Sequence, residues 1–205
     1  MIEDAAIHIR DVILKTLPLE SRVTRIEFEG PEIAIYSANP KPLFEDESII
    51  KDVVKAIKKR VILRSDPAVR MAPDDVTEYI KNNLPGEVKL YGCFFDESFG
   101  DALIEVDNPS IITSMYPDFV TNFMIKTFWR PKFVRKSSIK SVTLEWVRRL
   151  RLQQSPYRKK IMRSVGSRIH RPTIFQSGDI RVVFLGGFRE VGRSAILLET
   201  NESTV

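Results

Sequence analysis

Two Asn-Pro pairs, Asn39-Pro40 and Asn108-Pro109, stand 69 positions apart, and the same order of signals is written around each. Before the first, Ile2, Ala6, Ile9, Ile13 and Leu17 recur at three- and four-residue steps, the period of one helical face, until Pro18 ends the run. Thr24, Ile26 and Phe28 then alternate with charged positions, Gly30-Pro31 turns the chain, and Ile33 and Ile35 alternate again, which predicts two antiparallel strands. Past Asn39-Pro40, residues 46–60 carry Ile49, Val53, Val54 and Ile57 at helical spacing, and Val61-Ile62-Leu63 closes as a strand before Asp66-Pro67. The second copy starts a helix at Pro73 with Val76, Tyr79 and Ile80. It continues through strands at Val88–Phe95 and Ala102–Val106, a helix over 118–128, and a strand at Lys132-Phe133-Val134. A repeat of this length builds two small cores, so the expectation is an α+β chain with domains at residues 1–67 and 68–136, each helix-strand-strand-helix-strand.

Beyond the repeat, Ser137/Ser138 can cap a helix with Ile139, Val142, Trp146 and Leu150 on one face. Ser155-Pro156 restarts a second one bearing Tyr157, Ile161 and Val165, which Gly166 can stop. Residues 137–171 read as a basic helical linker. From 172 to 205 the chain reads as a Pro/Ser/Gly-containing linker and two further strands, Arg181–Leu185 and Ile196–Glu199. Their apolar residues lack partners in the sequence present, so the expectation is that 180–205 is disordered, swapped or irregularly packed.

Charge separates the two halves. Residues 1–100 carry 14 Lys/Arg against 18 Asp/Glu and residues 101–205 carry 18 against 9, so a net +5 is the sum of −4 and +9. Residues 126–171 hold 15 Lys/Arg opposed only by Glu145, a pattern that points to a polyanion, with a solvated helical face as the plainer alternative. No apolar run approaches the roughly 18–20 residues of a membrane span, and the N-terminus is acidic, so a cytoplasmic location is expected with no membrane partner. The single cysteine, Cys93, reads as a small buried hydrophobe. His8 and His170 have no second ligand at metal spacing; His8 reads as structural or surface, His170 as a polar linker residue near a phosphate or none.

The repeated unit, with a turn after its second strand, resembles the type II KH domain, in which a Gly-x-x-Gly loop between two helices lets backbone approach RNA phosphate. Here the loop departs from that pattern. The first unit offers Phe44-Glu45-Asp46-Glu47, acidic and without glycine, and the second offers Ser114-Met115-Tyr116-Pro117, where Pro117 also removes a backbone donor. Further on, Phe184-Leu185-Gly186-Gly187-Phe188-Arg189-Glu190-Val191-Gly192-Arg193-Ser194 and then Ala195 to Thr200 resemble the opening strands of a metallo-β-lactamase fold of the β-CASP ribonuclease group. Gly186, Gly187 and Gly192 lack nucleotide-loop spacing and read as turn glycines. With Trp129–Arg135 and Val165–Arg171, the whole chain is similar to the N-terminal part of the archaeal cleavage and polyadenylation specificity factor nucleases.

That resemblance implies an RNA-binding region of a zinc-dependent endoribonuclease acting in RNA 3′-end processing and transcription termination, with pyrimidine-rich RNA as target. It also implies two zinc ions held by histidine-rich motifs that are not in this chain, so neither catalytic residues nor a cofactor is expected here. Candidate RNA contacts are Lys126, Arg130, Lys132, Arg135, Lys136, Arg148, Arg149, Arg158, Lys159 and Lys160, with Arg151 and Arg163 extending the footprint. Tyr116 and Trp129 are candidate stacking surfaces, each with core packing as the alternative. Two readings stay open: single-stranded RNA held by charge and stacking, or a protein-docking module whose acidic unit meets the transcription machinery while its basic helices brace the nuclease domain.

Overall fold

Proline and acidic punctuation cut the helices more finely than apolar periodicity predicts. The computed structural model describes residues 2–170, 180–184 and 195–200. The first unit runs α1 (Ile2–Thr16), β1 (Val23–Glu29), β2 (Glu32–Ser37), α2 (Lys41–Glu45), α3 (Glu47–Ile57) and β3 (Arg60–Ser65). The second runs α4 (Pro73–Asn83), β4 (Leu90–Asp96), β5 (Asp101–Val106), α5 (Pro109–Met115), α6 (Pro117–Thr127) and β6 (Arg130–Arg135). Each unit therefore has two helices where one was expected after its second strand. Asp46 is extended and its carboxylate accepts from the Ser48 amide at 2.8 Å, which caps α3 and ends α2. In the second unit Pro117 opens α6 and supplies no amide to continue α5.

The two units agree in backbone detail. In each, the first and second strands are antiparallel, the second and third parallel, in the orders β1-β2-β3 and β4-β5-β6. Both first strands carry a bulge at the same place, between Val23 and Arg25 and between Leu90 and Gly92. Both third helices end on a non-glycine residue in the left-handed region, Lys58 (φ 53°) and Phe128 (φ 58°), whose amides bond back to Val54 O and Met124 O. The hairpins differ: β1 and β2 are joined across Gly30-Pro31, with Gly30 at φ 61°, whereas β4 and β5 are joined across residues 97–100.

Each unit has its own core. The first is aliphatic, built on Ile13, Leu17, Ile33, Ile35, Leu43 and Val53; the second adds Phe123 and Trp129 to Val76, Ile80, Ile104 and Ile112. Cys93 lines the second core half-buried, and burial pushes its thiol up, so it remains protonated and inert. Between the units lies a buried polar seam. Arg64 donates through Nε and Nη2 to Glu29 Oε2 (3.0 and 2.7 Å) and through Nη1 to the Phe99 carbonyl, while the Tyr36 hydroxyl donates to Glu29 Oε1 at 2.6 Å. Arg70 donates to Glu97 O and Ser65 O and stacks on Trp129, and Ser65 Oγ donates to Phe128 O, so the joint is pinned from both sides.

The segment beyond the repeat is not a free linker. α7 (Val142–Gln153) is capped by Ser141, whose hydroxyl accepts from Leu144 N at 3.2 Å, and not by Ser137 or Ser138. α8 (Ser155–Ile169) runs straight through Gly166. A helix tolerates that glycine because backbone lies against it: a Cβ there would stand 2.2 Å from Phe28 O, so only glycine lets α8 cross β1 this closely. The face Ile139, Val142, Trp146 and Leu150 is exposed; Leu144, Val147, Arg148, Arg151 and Leu152 line an open groove with Leu103, Lys132 and Val134 of the second unit's sheet.

β7 (Arg181–Phe184) and β8 (Ile196–Glu199), expected to lack partners, pair antiparallel with each other within the chain. Ile180, Val182, Phe184 and Ile196 nevertheless stay exposed. The glycines at 186, 187 and 192, and residues 172–178 of the expected linker, lie outside the described residues.

Candidate nucleic-acid interface

The positive block of residues 126–171 divides into cations spent inside the protein and cations left for a ligand. α8 accounts for much of the first group. At its N-terminal end Ser155 Oγ donates to Asp96, Arg158 reaches Asp96 Oδ2 at 3.3 Å, and Lys159 Nζ donates to Ser98 O at 2.8 Å, all on the second unit's hairpin. At its C-terminal end Arg163 grips Glu27 through Nε and Nη2 (2.8 and 2.7 Å), and Met162 O accepts from Gly30 N at 2.8 Å, on the first unit's hairpin. One helix thus straps both hairpins together.

Lys159 is the most perturbed of these cations. Burial, only partly offset by Glu27 and Glu29, pushes its ammonium down to about 8. His170, expected as a polar linker residue, is instead buried at the end of the strap, with Nε2 3.1 Å from Gly30 O and its ring 5.0 Å from Phe28. Burial and the nearby Lys59 hold its pKa below the usual range, and Nδ1 has no hydrogen-bond partner among the described residues. His8 is exposed on α1.

The remaining candidate contacts sort the same way. Arg130 and Lys132 both close on Asp101, at 2.7 and 2.6 Å, and Arg148 pairs with Glu105 at 3.0 Å while covering Phe94. Trp129 is only 3% exposed, its indole Nε1 donates to Met71 O at 2.8 Å and its ring meets Phe95 edge-on, so it is a core residue and not a stacking platform. Tyr116 sits half-buried at the α5–α6 junction, with Ser114, Met115 and Pro117 exposed around it. Lys126, Arg135, Lys136, Arg149 and Lys160 are exposed and have no ion pair among the described residues.

The first unit's helix junction presents the opposite charge. Asp46 stands there with its carboxylate held ionised by the Ser48 hydrogen bonds, flanked by the surface pairs Lys41–Glu45 and Lys51–Glu47. A phosphate approaching that junction meets an anion.

A group that sequence reasoning missed lies at the other end of the second sheet. Tyr91 is 41% exposed, with Lys136 Nζ 3.9 Å and Lys89 Nζ 5.6 Å from its ring centroid. Such contacts contribute about 0.5–1 kcal/mol each at exposed sites. The tyrosine faces out because it is the extra residue of the bulge between Leu90 and Gly92, which breaks the strand's alternation. Alternation alone buries or exposes residues in strict turn, so the signal was available only by aligning the two repeats: Thr24 and Asp66 hold the slots of Tyr91 and Lys136.

No described helix is long and apolar enough to cross a membrane. Among the described residues no group of three His, Cys, Asp or Glu side chains is placed to hold a metal ion, so these residues do not fit the zinc centre that the nuclease resemblance implies.

Residues 3–70, the first unit, match the family described as transcription termination factor FttA, KH domain. The similarity is to FttA. It extends over the whole chain: 38% identity over 204 residues with transcription termination factor FttA of Thermococcus kodakarensis, covering 100% of this chain and 32% of that protein. The FttA proteins of Methanothermobacter thermautotrophicus (36% over 205 residues, 100% and 32%) and Lokiarchaeum sp. (38% over 198 residues, 96% and 31%) give the same picture. The chain spans about a third of the length of these FttA relatives. Beyond residue 70, the likeness of the second unit to a KH domain rests on its own topology.

Proposed function

We propose that this chain is the RNA-gripping region of an archaeal transcription termination factor of the FttA kind, and that its second unit, a KH domain without a glycine loop, makes the main contact with single-stranded RNA. The observation that carries this reading is the contrast between two places: Lys126, Arg135, Lys136, Arg149 and Lys160 are exposed with no ion pair among the described residues, while the first unit's α2–α3 junction is acidic. RNA held this way is gripped by phosphate neutralisation, with little sequence readout.

In this reading the chain itself is not catalytic. It positions RNA for a zinc-dependent endoribonuclease domain of the β-CASP metallo-β-lactamase class, with cleavage near transcript 3′ ends as the reaction and a cytoplasmic location. The zinc ligands would come from outside the described residues. The first unit, with its acidic α2–α3 junction, is the surface offered to the transcription machinery.

The test is binding of a fluorescent uridine-rich single-stranded RNA across a salt series, for the natural chain and for Lys126, Arg135, Lys136 and Arg149 changed together to Ala. Each phosphate contact contributes about −0.7 to the slope of log K against log salt for single strands, so loss of all four flattens the slope by about 3. Absence of binding at low salt refutes the proposal and leaves a docking module.

A further inference from the structure

The two units carry the same pocket with opposite chemistry. In the first, Thr24 fills the bulge of β1 and donates to Asp66 Oδ2 at 2.9 Å, and Arg25 also reaches Asp66. Asp66 follows β3 and its amide donates to Ser37 O at 2.7 Å. In the second unit Lys136 follows β6 and its amide donates to Val106 O at 2.7 Å, the matching bond. Across from it, in the bulge of β4, stands Tyr91. The backbone is conserved between the copies; the hydroxyl has become an aromatic ring and the carboxylate an ammonium.

Resting on the reading of the second unit as the RNA contact, we propose that Tyr91 is a base-stacking platform, with Lys89, Arg135 and Lys136 taking the flanking phosphates of one single-stranded segment. The surface beside the ring is an open depression of about 410 Å³ lined by Tyr91, Asp107, Arg135, Lys136, Ser137 and Ser138. Lys89, Arg135 and Lys136 are exposed and have no ion pair among the described residues. The nearby carboxylate, Asp107, is exposed, and its Oδ1 accepts from the Lys89 and Asn108 amides at 3.0 and 2.8 Å. Three exposed cations thus stand beside an exposed aromatic ring, next to one carboxylate whose Oδ1 is bonded to backbone amides.

The arrangement suits a nucleotide in both its parts. Base stacking on an aromatic ring is stronger than an exposed ammonium–ring contact, so an incoming base displaces Lys136 from the face of Tyr91. The released ammonium stays within reach of the adjacent phosphate. Because every base has a stacking face, the contact selects single strands over duplexes without selecting sequence. It is lined by no residue of the α5–α6 junction, where a glycine loop would stand, so it does not depend on that loop.

The experiment uses the whole chain and an oligouridine carrying 4-thiouridine. Irradiated with the natural chain, the probe is expected to crosslink to the peptide containing Tyr91. Tyr91→Ala is expected to weaken binding about 10-fold with an unchanged salt slope, since stacking releases no counterions, while Tyr91→Phe binds as the natural chain does. Unfolding midpoints of the variants check that the fold is kept; the crosslink on the natural chain stands independently of them. RNA binding that is indifferent to Tyr91→Ala, with crosslinks elsewhere, overturns this inference and leaves the proposed function intact. No binding by the natural chain at low salt overturns both.

Discussion

The first and second units share a strand order, a bulge and a left-handed helix cap, yet they differ in charge at the turn after the third strand and at the helix junction. What is common is held by backbone hydrogen bonding and by apolar residues at the right period, both indifferent to which side chain points outward. What differs sits in slots the fold leaves free. Asp66 and Lys136 occupy the same turn after the third strand, and Thr24 and Tyr91 the same bulge. Duplicated architecture therefore says little about duplicated function; charge at matched positions says more.

The comparison assumes that the two units are one welded body, and the largest expected effect tests that weld. Arg64→Ala leaves the Glu29 carboxylate buried without its cation, held only by the Tyr36 hydroxyl, with Arg64 and Glu29 side chains 5% and 1% exposed, and is expected to destabilise by about 3–5 kcal/mol. Urea unfolding measures it, and a loss below about 1 kcal/mol would mean that the seam carries little of the stability. Next in size, Gly166→Ala drives a methyl into Phe28 O and is expected to cost about 1–3 kcal/mol by forcing α8 off β1. Gly86→Ala, with open space around it, is the control and should change stability little.

A smaller effect sharpens the charge contrast directly. Lys136→Asp puts the first unit's residue in the second unit's slot, and it is expected to weaken RNA binding while flattening the salt slope by about 0.7. The subtlest expected effect concerns the strap. Lys159 loses its proton near pH 8 in the folded chain and near its ordinary 10.5 when unfolded, so between these values the unfolded state binds more protons and stability rises with pH. Denaturant midpoints at pH 7.5 and pH 10 should show a rise in the natural chain that is smaller in Lys159→Met.

Much of the fold is legible in the sequence because helix and strand periods are local. Ile33 and Ile35 alternate as a buried strand must, and Val76 and Ile80 step as a buried helix face must. The helix breaks at 46 and 116 were legible as places where a glycine loop should fall, but the split into two helices was not, because apolar spacing runs on across Asp46. The left-handed caps at Lys58 and Phe128 carry no glycine to announce them. Gly166 announces a stop and is instead a point of close approach.

The interface was harder to read, for a physical reason. Whether a cation is available depends on acids distant in sequence: Arg163 is neutralised by Glu27, 136 positions away, and Arg158 by Asp96, 62 positions away. A count of Lys and Arg along residues 126–171 cannot tell Arg135, which has no ion pair among the described residues, from Arg148, which is spent on Glu105. Trp129 shows the same limit, since an indole in a basic stretch reads as a stacking platform until its nitrogen is found bonded to Met71 O.

The central claim is that RNA engages the second unit and not the acidic α2–α3 junction of the first, and hydrogen exchange of the whole chain with and without a uridine-rich single strand tests it most directly. New protection at Lys89–Gly92 and Val134–Ser138, with the α2–α3 junction at residues 43–48 unchanged, is the predicted result. Protection concentrated at residues 43–48 would contradict the account and place the RNA on the junction whose carboxylates are expected to repel it.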